Sequence, residues 1–235
     1  VSLALKRLGS TLREVRTFRE FLKFMVAFLI YNDGILMVMD FAAILGAVLY
    51  GMEQQELIIF MIIVQITSVA GAYLFGLIAN DFSGKRALVI SLLLMVVPVV
   101  WLYFSYSKLE FYFLGGLAGF ALTGVQSVSR TMVGTFAPRG KSAEFYGFFA
   151  VTGRTSSFIG PTIFGLLAAE ATEWYMAAQQ MTAAAAEEAG HRIALFSIVA
   201  FLLVGLIFLL SVNERKGREA ALAANGPDAQ AEGDR

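Results

Sequence analysis

The chain consists mostly of long, nearly uninterrupted apolar runs, without the polar face that each element of a soluble fold needs. A helix that crosses about 30 Å of hydrocarbon requires roughly 20 mostly apolar residues. The strands of a membrane barrel are much shorter, with alternating segments of roughly 10 residues. The runs therefore predict an all-α polytopic membrane protein. We expect six transmembrane spans, which we name a (about 21–49), b (54–79), c (87–106), d (109–137), e (143–168) and f (191–213).

Composition agrees with this class and argues against several others. The 235 residues are 58% hydrophobic and only 15% charged, whereas soluble domains carry roughly a quarter charged residues. The 18 basic and 18 acidic residues balance, which favours no nucleic-acid partner. Cysteine is absent and histidine occurs once, so we expect no metal site and no cysteine nucleophile. No nucleotide-binding loop is recognisable, and we expect neither a cofactor nor enzymatic activity.

The distribution of Lys and Arg predicts the orientation. Lys108 and Arg192 lie on one side of the predicted membrane, Arg130 and Arg154 fall inside spans, and the other 14 basic residues lie on the opposite side. Because basic loops remain in the cytoplasm, both termini should be cytoplasmic, which requires an even number of crossings. A bacterial inner membrane is the expected location. The basic side carries Lys6, Arg7, Arg13, Arg16, Arg19, Lys23, Lys85, Arg86, Arg139, Lys141, Arg215, Lys216, Arg218 and Arg235.

Three segments flank or interrupt the transmembrane domain, which we place at residues 21–213. Residues 1–20 mix leucines with basic residues, which predicts a cytoplasmic amphipathic arm on the membrane surface. The Ala-rich, acidic e–f loop (170–190) predicts a short extracytoplasmic helix. Residues 214–235 are polar and contain Gly and Pro, which predicts a disordered cytoplasmic tail.

Charged residues within the spans are the first candidates for function. Each costs about 2.5–3.5 kcal/mol near the bilayer centre unless it is paired or hydrated. Asp33 of span a, Arg130 of span d and Arg154 of span e fall at similar depths. They form either a substrate or proton site shared by three helices, or a set of ion pairs that holds those helices together. Asp40 is further along span a and is expected to reach the outer interface.

Polar neighbours favour the first interpretation. Thr123 and Gln126 share a face of span d with Arg130, and Asn32 directly precedes Asp33. Gly160-Pro161 predicts a bend in span e, which is tolerated where freed carbonyls face protein or water. Asp33 is the candidate proton carrier, because a carboxyl group in a low dielectric can take up and release a proton. The candidate substrate-binding residues are Asn32, Asp33, Thr123, Gln126, Arg130 and Arg154.

The b–c junction carries a recognisable loop. Gly76-Leu-Ile-Ala-Asn80-Asp81-Phe-Ser-Gly84-Lys85-Arg86 resembles the Gly-x-x-x-Asp-Arg-x-Gly-x-Lys-Arg loop of the major facilitator superfamily. Asn80, Asp81 and Ser83 depart from that pattern, standing where it has the acid, the Arg and a Gly. Either Asp81 takes over the role of the acid, or the loop holds the cytoplasmic face of the protein closed less firmly. The resemblance implies a cytoplasmic gating loop formed by Gly76, Asn80, Asp81, Gly84, Lys85 and Arg86.

Further motifs narrow the resemblance. They are Tyr31-Asn-Asp-Gly34, Gly124-x-Gln-Ser-x-Ser-Arg130, Ala143-Glu-Phe-Tyr-Gly-Phe148 and Gly160-Pro161. Together they resemble the superfamily branch that includes the fungal autophagy-related vacuolar amino-acid effluxer and its bacterial relatives. The similarity runs from about 21 to 212 and matches the C-terminal half of such proteins. Arg154 stands where the bacterial relatives more often have Lys, and the e–f loop resembles an insertion.

The resemblance implies a twelve-helix transporter of two halves, with substrate bound between them. This chain would be one half, built from two inverted three-helix repeats (a–c and d–f). Its implied partners are membrane lipid, a small polar solute, and an N-terminal six-helix half or a second copy of the chain. We expect a secondary transporter that moves the solute, such as an amino acid, by alternating access with proton coupling. The alternative is a non-transporting six-helix assembly or structural subunit.

Overall fold

The computed structural model describes residues 18–81, 83–155 and 157–224, and these ranges are helical apart from short connections. Five of the described helices are long and apolar enough to cross a membrane, namely α1, α2, α3, α4 and α7 as defined below. The prediction of an all-helical, multi-pass membrane protein is confirmed. In chain order the helices are α1 (Arg19–Tyr50), α2 (Gln54–Asp81), α3 (Gly84–Phe104), α4 (Lys108–Phe136), α5 (Ser142–Thr155), α6 (Ile159–Gln179), α7 (Ala183–Leu210) and α8 (Glu214–Ala223).

The prediction that span e is one helix is wrong. α5 ends at Thr155 and α6 begins at Ile159, so two helices cover this part of the chain. Pro161 therefore lies in the first turn of α6 instead of bending a continuous helix. Proline is well tolerated there, because the first backbone N–H groups of a helix have no intrahelical partner.

The e–f loop does not form a separate helix either. α6 continues to Gln179, and α7 begins at Ala183 after a three-residue turn. Gln180 ends α6 in the left-handed conformation with φ of 54°, and the Thr182 side chain caps α7. Alanine and glutamate are strong helix formers, so both helices extend through the segment predicted as a loop.

The polar tail is also more ordered than predicted. Residues 214–223 form α8, whose first turn is capped by Asn213. The Asn213 side chain accepts a hydrogen bond from the backbone N–H of Lys216 at 3.0 Å. Residues 225–235 and most of the predicted N-terminal arm (1–17) lie outside the described residues. Polar composition alone did not distinguish a short surface helix from a disordered tail.

α1 packs closely between α7 and α4. On one side, Gly205 of α7 meets the backbone of Tyr31, where an added Cβ would lie 2.6 Å from the Tyr31 nitrogen. Only glycine permits this approach. On the other side, the Tyr31 hydroxyl and the Ser129 hydroxyl of α4 hydrogen-bond at 2.8 Å. These contacts fix the depth of α1 relative to both neighbours.

One end of the bundle, which we call the basic end, gathers the starts of α1, α3 and α8. The backbone N–H of Asn213 donates to Glu20 Oε2 at 2.6 Å, and Gly217 of α8 lies against Phe136 at the end of α4. At the opposite end, Lys108 Nζ pairs with Glu56 Oε2 at 2.7 Å. α4 thus ends at the basic end. Phe145 of α5 packs on Phe21 near the start of α1, and Phe164 of α6 stacks on Phe41 further along it, so α5 and α6 follow α1 away from the basic end. The sixth membrane crossing and the inverted relation between the two three-helix units stay predictions.

Candidate functional site

The middle of α1 lies against the interruption between α5 and α6. The Asn32 amide donates to the backbone oxygen of Gly153, near the end of α5, at 3.4 Å. On the far side of the interruption, Gly160 packs on Asp33, where an added Cβ would lie 3.1 Å from the Asp33 backbone oxygen. Discontinuous helices near mid-membrane are a common way to build the binding site of a secondary transporter.

Asp33 lies inside this junction. Its relative exposure is 1%, whereas Asp40, two turns further along the same helix, is exposed. Burying a carboxyl group is costly unless its surroundings compensate. Asp33 of the Tyr31-Asn-Asp-Gly34 motif is therefore the residue of α1 whose burial in a charged form would cost the most free energy.

Arg130 and Arg154 lie at the level of Asn32 but face outward. The Tyr31–Ser129 hydrogen bond sets the position of Arg130, and the contact between Asn32 and Gly153 sets that of Arg154. Both side chains are exposed, and within the described ranges neither guanidinium makes a hydrogen bond or an ion pair. The alternative in which these arginines lock the three helices by ion pairs therefore has no support in the described residues.

The two remaining candidate residues lie along the α1–α4 contact. The Gln126 amide approaches Met39 Sδ at 3.6 Å, and the Thr123 hydroxyl donates to the Gly119 oxygen of its own helix at 3.1 Å. Both side chains are half-buried. They lie away from the interruption beside Asp33, so the structure brings Asn32 and Asp33 together with the α5–α6 junction but does not bring Thr123 and Gln126 to it.

A separate cavity of about 330 Å³ lies among α1, α2, α3, α4 and α7. Its lining is mainly apolar, with Gln65 and Ser68 as polar members, and none of the six predicted substrate-binding residues lines it. The Ser68 hydroxyl donates to the Gly119 oxygen at 3.0 Å. The sequence did not lead to this cavity, because the candidate residues were chosen by their charge. Gln65 and Ser68, two polar residues three positions apart in the apolar span b, could have indicated it.

The predicted gating loop makes contacts that the sequence did not indicate. The backbone N–H groups of Gly84 and Lys85 donate to the two carboxylate oxygens of Glu214 at 3.1 and 2.9 Å. Lys85 Nζ donates to the backbone oxygens of Leu210 and Val212, each at 2.7 Å. The start of α3 is thereby tied both to the end of α7 and to the start of α8.

The departure at Ser83 has a structural reason. Its hydroxyl accepts a hydrogen bond from the Arg86 N–H at 3.1 Å and caps α3, which glycine could not do. Asn80 and Asp81 form the last turn of α2, and their side chains lie outside what the structure describes. Gly76 faces open space and Arg86 is exposed. Glu214 therefore supplies a carboxylate to this loop from α8.

Arg192 is a second residue whose role the sequence did not indicate. It is buried, with 6% exposure, and one guanidinium nitrogen donates to the backbone oxygens of Leu102, Tyr103 and Ser105 at 3.2, 3.1 and 2.9 Å. The same side chain pairs with Glu188 at 3.1 Å. A guanidinium at the carbonyl end of a helix satisfies open acceptors and complements the helix dipole. Arg192 therefore serves as a cap for α3.

Comparison with known proteins connects this architecture to a family. The sequence matches the family described as "Vacuole effluxer Atg22 like" over residues 1–222. An uncharacterized MFS-type transporter of Bacillus subtilis, YxiO, is 25% identical over 220 residues, which cover 94% of this chain and 47% of that protein. Autophagy-related protein 22 of Yarrowia lipolytica is 31% identical over 180 residues, 71% of this chain and 30% of that protein.

A solved structure shares the fold. The bacterial homolog of the human lysosomal transporter Spinster, inward-facing and unoccupied, superposes with a TM-score of 0.72 at 12% identity, over 93% of this chain and 52% of that chain. The chain thus spans about half or less of the length of these proteins. Their names describe transporters and autophagy-related proteins, and the expectation that the chain is not an enzyme agrees with them. The chain belongs to the Atg22-like branch of the major facilitator superfamily, as its motifs predicted.

Proposed function

We propose that this chain is one half of a secondary transporter that moves a small polar solute across a membrane by alternating access. The observation that carries the proposal is the junction of Asn32 and Asp33 with the α5–α6 interruption. The guanidinium groups of Arg130 and Arg154 are exposed and lie at the level of Asn32 along the bundle. The two interruption-flanking helices and the buried carboxyl group match the way secondary transporters bind solutes at mid-membrane.

An amino acid is the solute that suits these groups. A guanidinium binds a carboxylate through charge-assisted, often bidentate hydrogen bonds, and Arg154 or Arg130 would supply it. Asp33 would carry the coupled proton, because a buried carboxyl group can exchange a proton as the site opens to either side. Asn32, Thr123 and Gln126 would contribute neutral hydrogen-bonding groups to the passage.

The other half of the proposed transporter would cover the exposed polar sides of α1, α4 and α5. Either an N-terminal six-helix unit or a second copy of this chain would fill that role. The loop of Gly76, Asn80, Asp81, Gly84, Lys85 and Arg86 would act as the cytoplasmic gate, with Lys85 holding α3 to α7. Both termini would be cytoplasmic in a bacterial inner membrane, as the basic end indicates.

Solute flux in proteoliposomes tests the proposal. The full product of the gene is reconstituted with an imposed pH gradient, and uptake of labelled amino acids is compared among the wild type, Asp33→Asn, Arg154→Gln and Arg154→Lys. We expect Arg154→Gln to raise KM by about tenfold or more, since a hydrogen bond to a charged group contributes about 1.5–3 kcal/mol. Asp33→Asn should abolish the pH dependence. Glu219→Gln, on the exposed surface of α8, is the matched control and should transport normally.

Two outcomes would contradict parts of this mechanism. Unchanged transport by both Asp33→Asn and Arg154→Gln would remove these residues from it, and a pH-independent wild-type flux would remove the proton role of Asp33. A structural subunit would give neither flux nor a thermal shift with any amino acid across several pH values. That result would favour the non-transporting alternative.

A further inference from the structure

The outward surface of α3 is an apolar stripe that begins with a basic residue in the first turn. The exposed residues Arg86, Ile90, Leu93, Val97, Trp101 and Phe104 recur every three or four positions and so share one side of the helix. Beyond the first turn this stripe carries no charge, whereas the outward sides of α1, α4 and α5 carry Asp40, Arg130 and Arg154. Charged side chains avoid lipid. The α3 stripe is therefore a surface suited to face the acyl chains, with Arg86 at its end.

A large depression lies beside the first turn of α3. It has a volume of about 1400 Å³, its walls come mainly from α3, α4, α7 and α8, and Ile90, Leu210 and Leu222 are among its apolar members. Among the residues that the structure describes, five cationic side chains and one acid, Glu214, line it. We call it the basic depression, and its cations are Lys85, Arg86, Arg139, Arg215 and Arg218.

At least three of the charged residues in the basic depression already have interactions within the protein, namely Glu214, Lys85 and Arg139. Glu214 is bonded to the backbone N–H groups of Gly84 and Lys85, and the Lys85 ammonium is bonded to the end of α7. Arg86 and Arg218 are exposed and reach the depression from α3 and α8. Within the described ranges Arg215 pairs with Glu219, at 3.5 Å on the open surface, where such pairs contribute little. The depression therefore keeps a positive surplus that suits an anion.

We propose that the basic depression binds the phosphate of an anionic membrane lipid, whose acyl chains lie along the exposed stripe of α3. Guanidiniums bind phosphate oxygens bidentately, and basic pockets between transmembrane helices select anionic headgroups at the membrane surface. The apolar stripe that begins at Ile90 favours a lipid over a free phosphate, because a soluble anion would leave that stripe unused. A bound lipid would link Arg86 of α3 to Arg218 of α8.

Native mass spectrometry of the purified chain tests this site. The protein is titrated with phosphatidylglycerol or phosphatidylcholine, and lipid-bound species are counted for the wild type, Arg86→Gln, Arg218→Gln and the double variant. We expect preferential retention of phosphatidylglycerol, weakened about fivefold by each substitution. Arg86→Lys and Arg218→Lys should fall in between, since they keep the charge but lose the bidentate geometry. Arg19→Gln removes an exposed guanidinium at the start of α1, outside the depression, and should bind like the wild type.

Melting temperatures of all variants separate loss of the site from loss of the fold. A second arm adds millimolar inorganic phosphate, which should not displace phosphatidylglycerol. Equal retention of the two lipids by the wild type, or undiminished phosphatidylglycerol binding by a well-folded double variant, would overturn the proposal. Displacement by inorganic phosphate would also overturn it, in favour of a site for soluble anions.

Discussion

Arg192 and Arg154 are both cations in long helical stretches, yet the fold uses them in opposite ways. The Arg192 guanidinium is buried and bonds three backbone oxygens at the end of α3 as well as Glu188. The Arg154 guanidinium is exposed and makes no hydrogen bond or ion pair within the described ranges. A cation whose three guanidinium nitrogens all donate to protein acceptors stabilises the helical bundle. The exposed guanidinium of Arg154 is instead accessible from outside the bundle, as the proposed solute binding requires.

The largest expected effect is that of Arg192→Leu. Removal of the guanidinium takes this donor from the Leu102 and Tyr103 carbonyls at the end of α3, whereas the Ser105 oxygen keeps its hydrogen bond from the Tyr50 hydroxyl. We expect a cost of about 3 kcal/mol. The melting temperature in detergent should fall by roughly 6–12 °C. Arg192→Lys should lie in between, because an ammonium cannot reproduce the planar fork. A decrease of less than about 2 °C for Arg192→Leu would show that those carbonyls find other partners and would erase the contrast with Arg154.

Glu214→Gln tests the opposite end of α3. The substitution removes the negative charge and one of two hydrogen bonds at the helix N-terminus, which should cost about 1 kcal/mol. We expect a melting temperature lower by roughly 2–4 °C and faster trypsin cleavage at Arg215, Lys216 or Arg218 as α8 loosens.

Glu219→Gln is the matched control for this change. It removes an exposed acid of α8 whose pair with Arg215 is 3.5 Å long, and it should alter stability by less than about 0.5 kcal/mol. Equal effects of the two substitutions would mean that Glu214 does not hold α8 to α3.

The smallest expected effects are those of Arg130→Gln and Arg154→Gln. Both side chains are exposed, so the melting temperature of the chain should change by less than about 2 °C. A loss as large as that of Arg192→Leu would show that these arginines hold the half-bundle together. The distinction between structural and available cations would then fail.

The predicted segments agree with the structure to different degrees. Spans a to d each form one helix close to the predicted bounds, because the length of an apolar run is a local property. Span e is two helices, since its interruption depends on how residues around Gly160 pack against Asp33 of α1. α8 was missed because its order comes from Glu214 and Gly217 contacting α3 and α4, which composition does not encode.

The sequence by itself determined the membrane class, the approximate positions of the apolar helices, the concentration of positive charge on one side and the family. Each of these depends on residues that are near one another in the chain, and hydrophobic transfer acts on each segment separately. Only the tertiary structure decided which charges are engaged, because the partners come from distant helices. Arg192 bonds a carbonyl group 87 residues away, and Glu214 bonds a backbone N–H group 130 residues away.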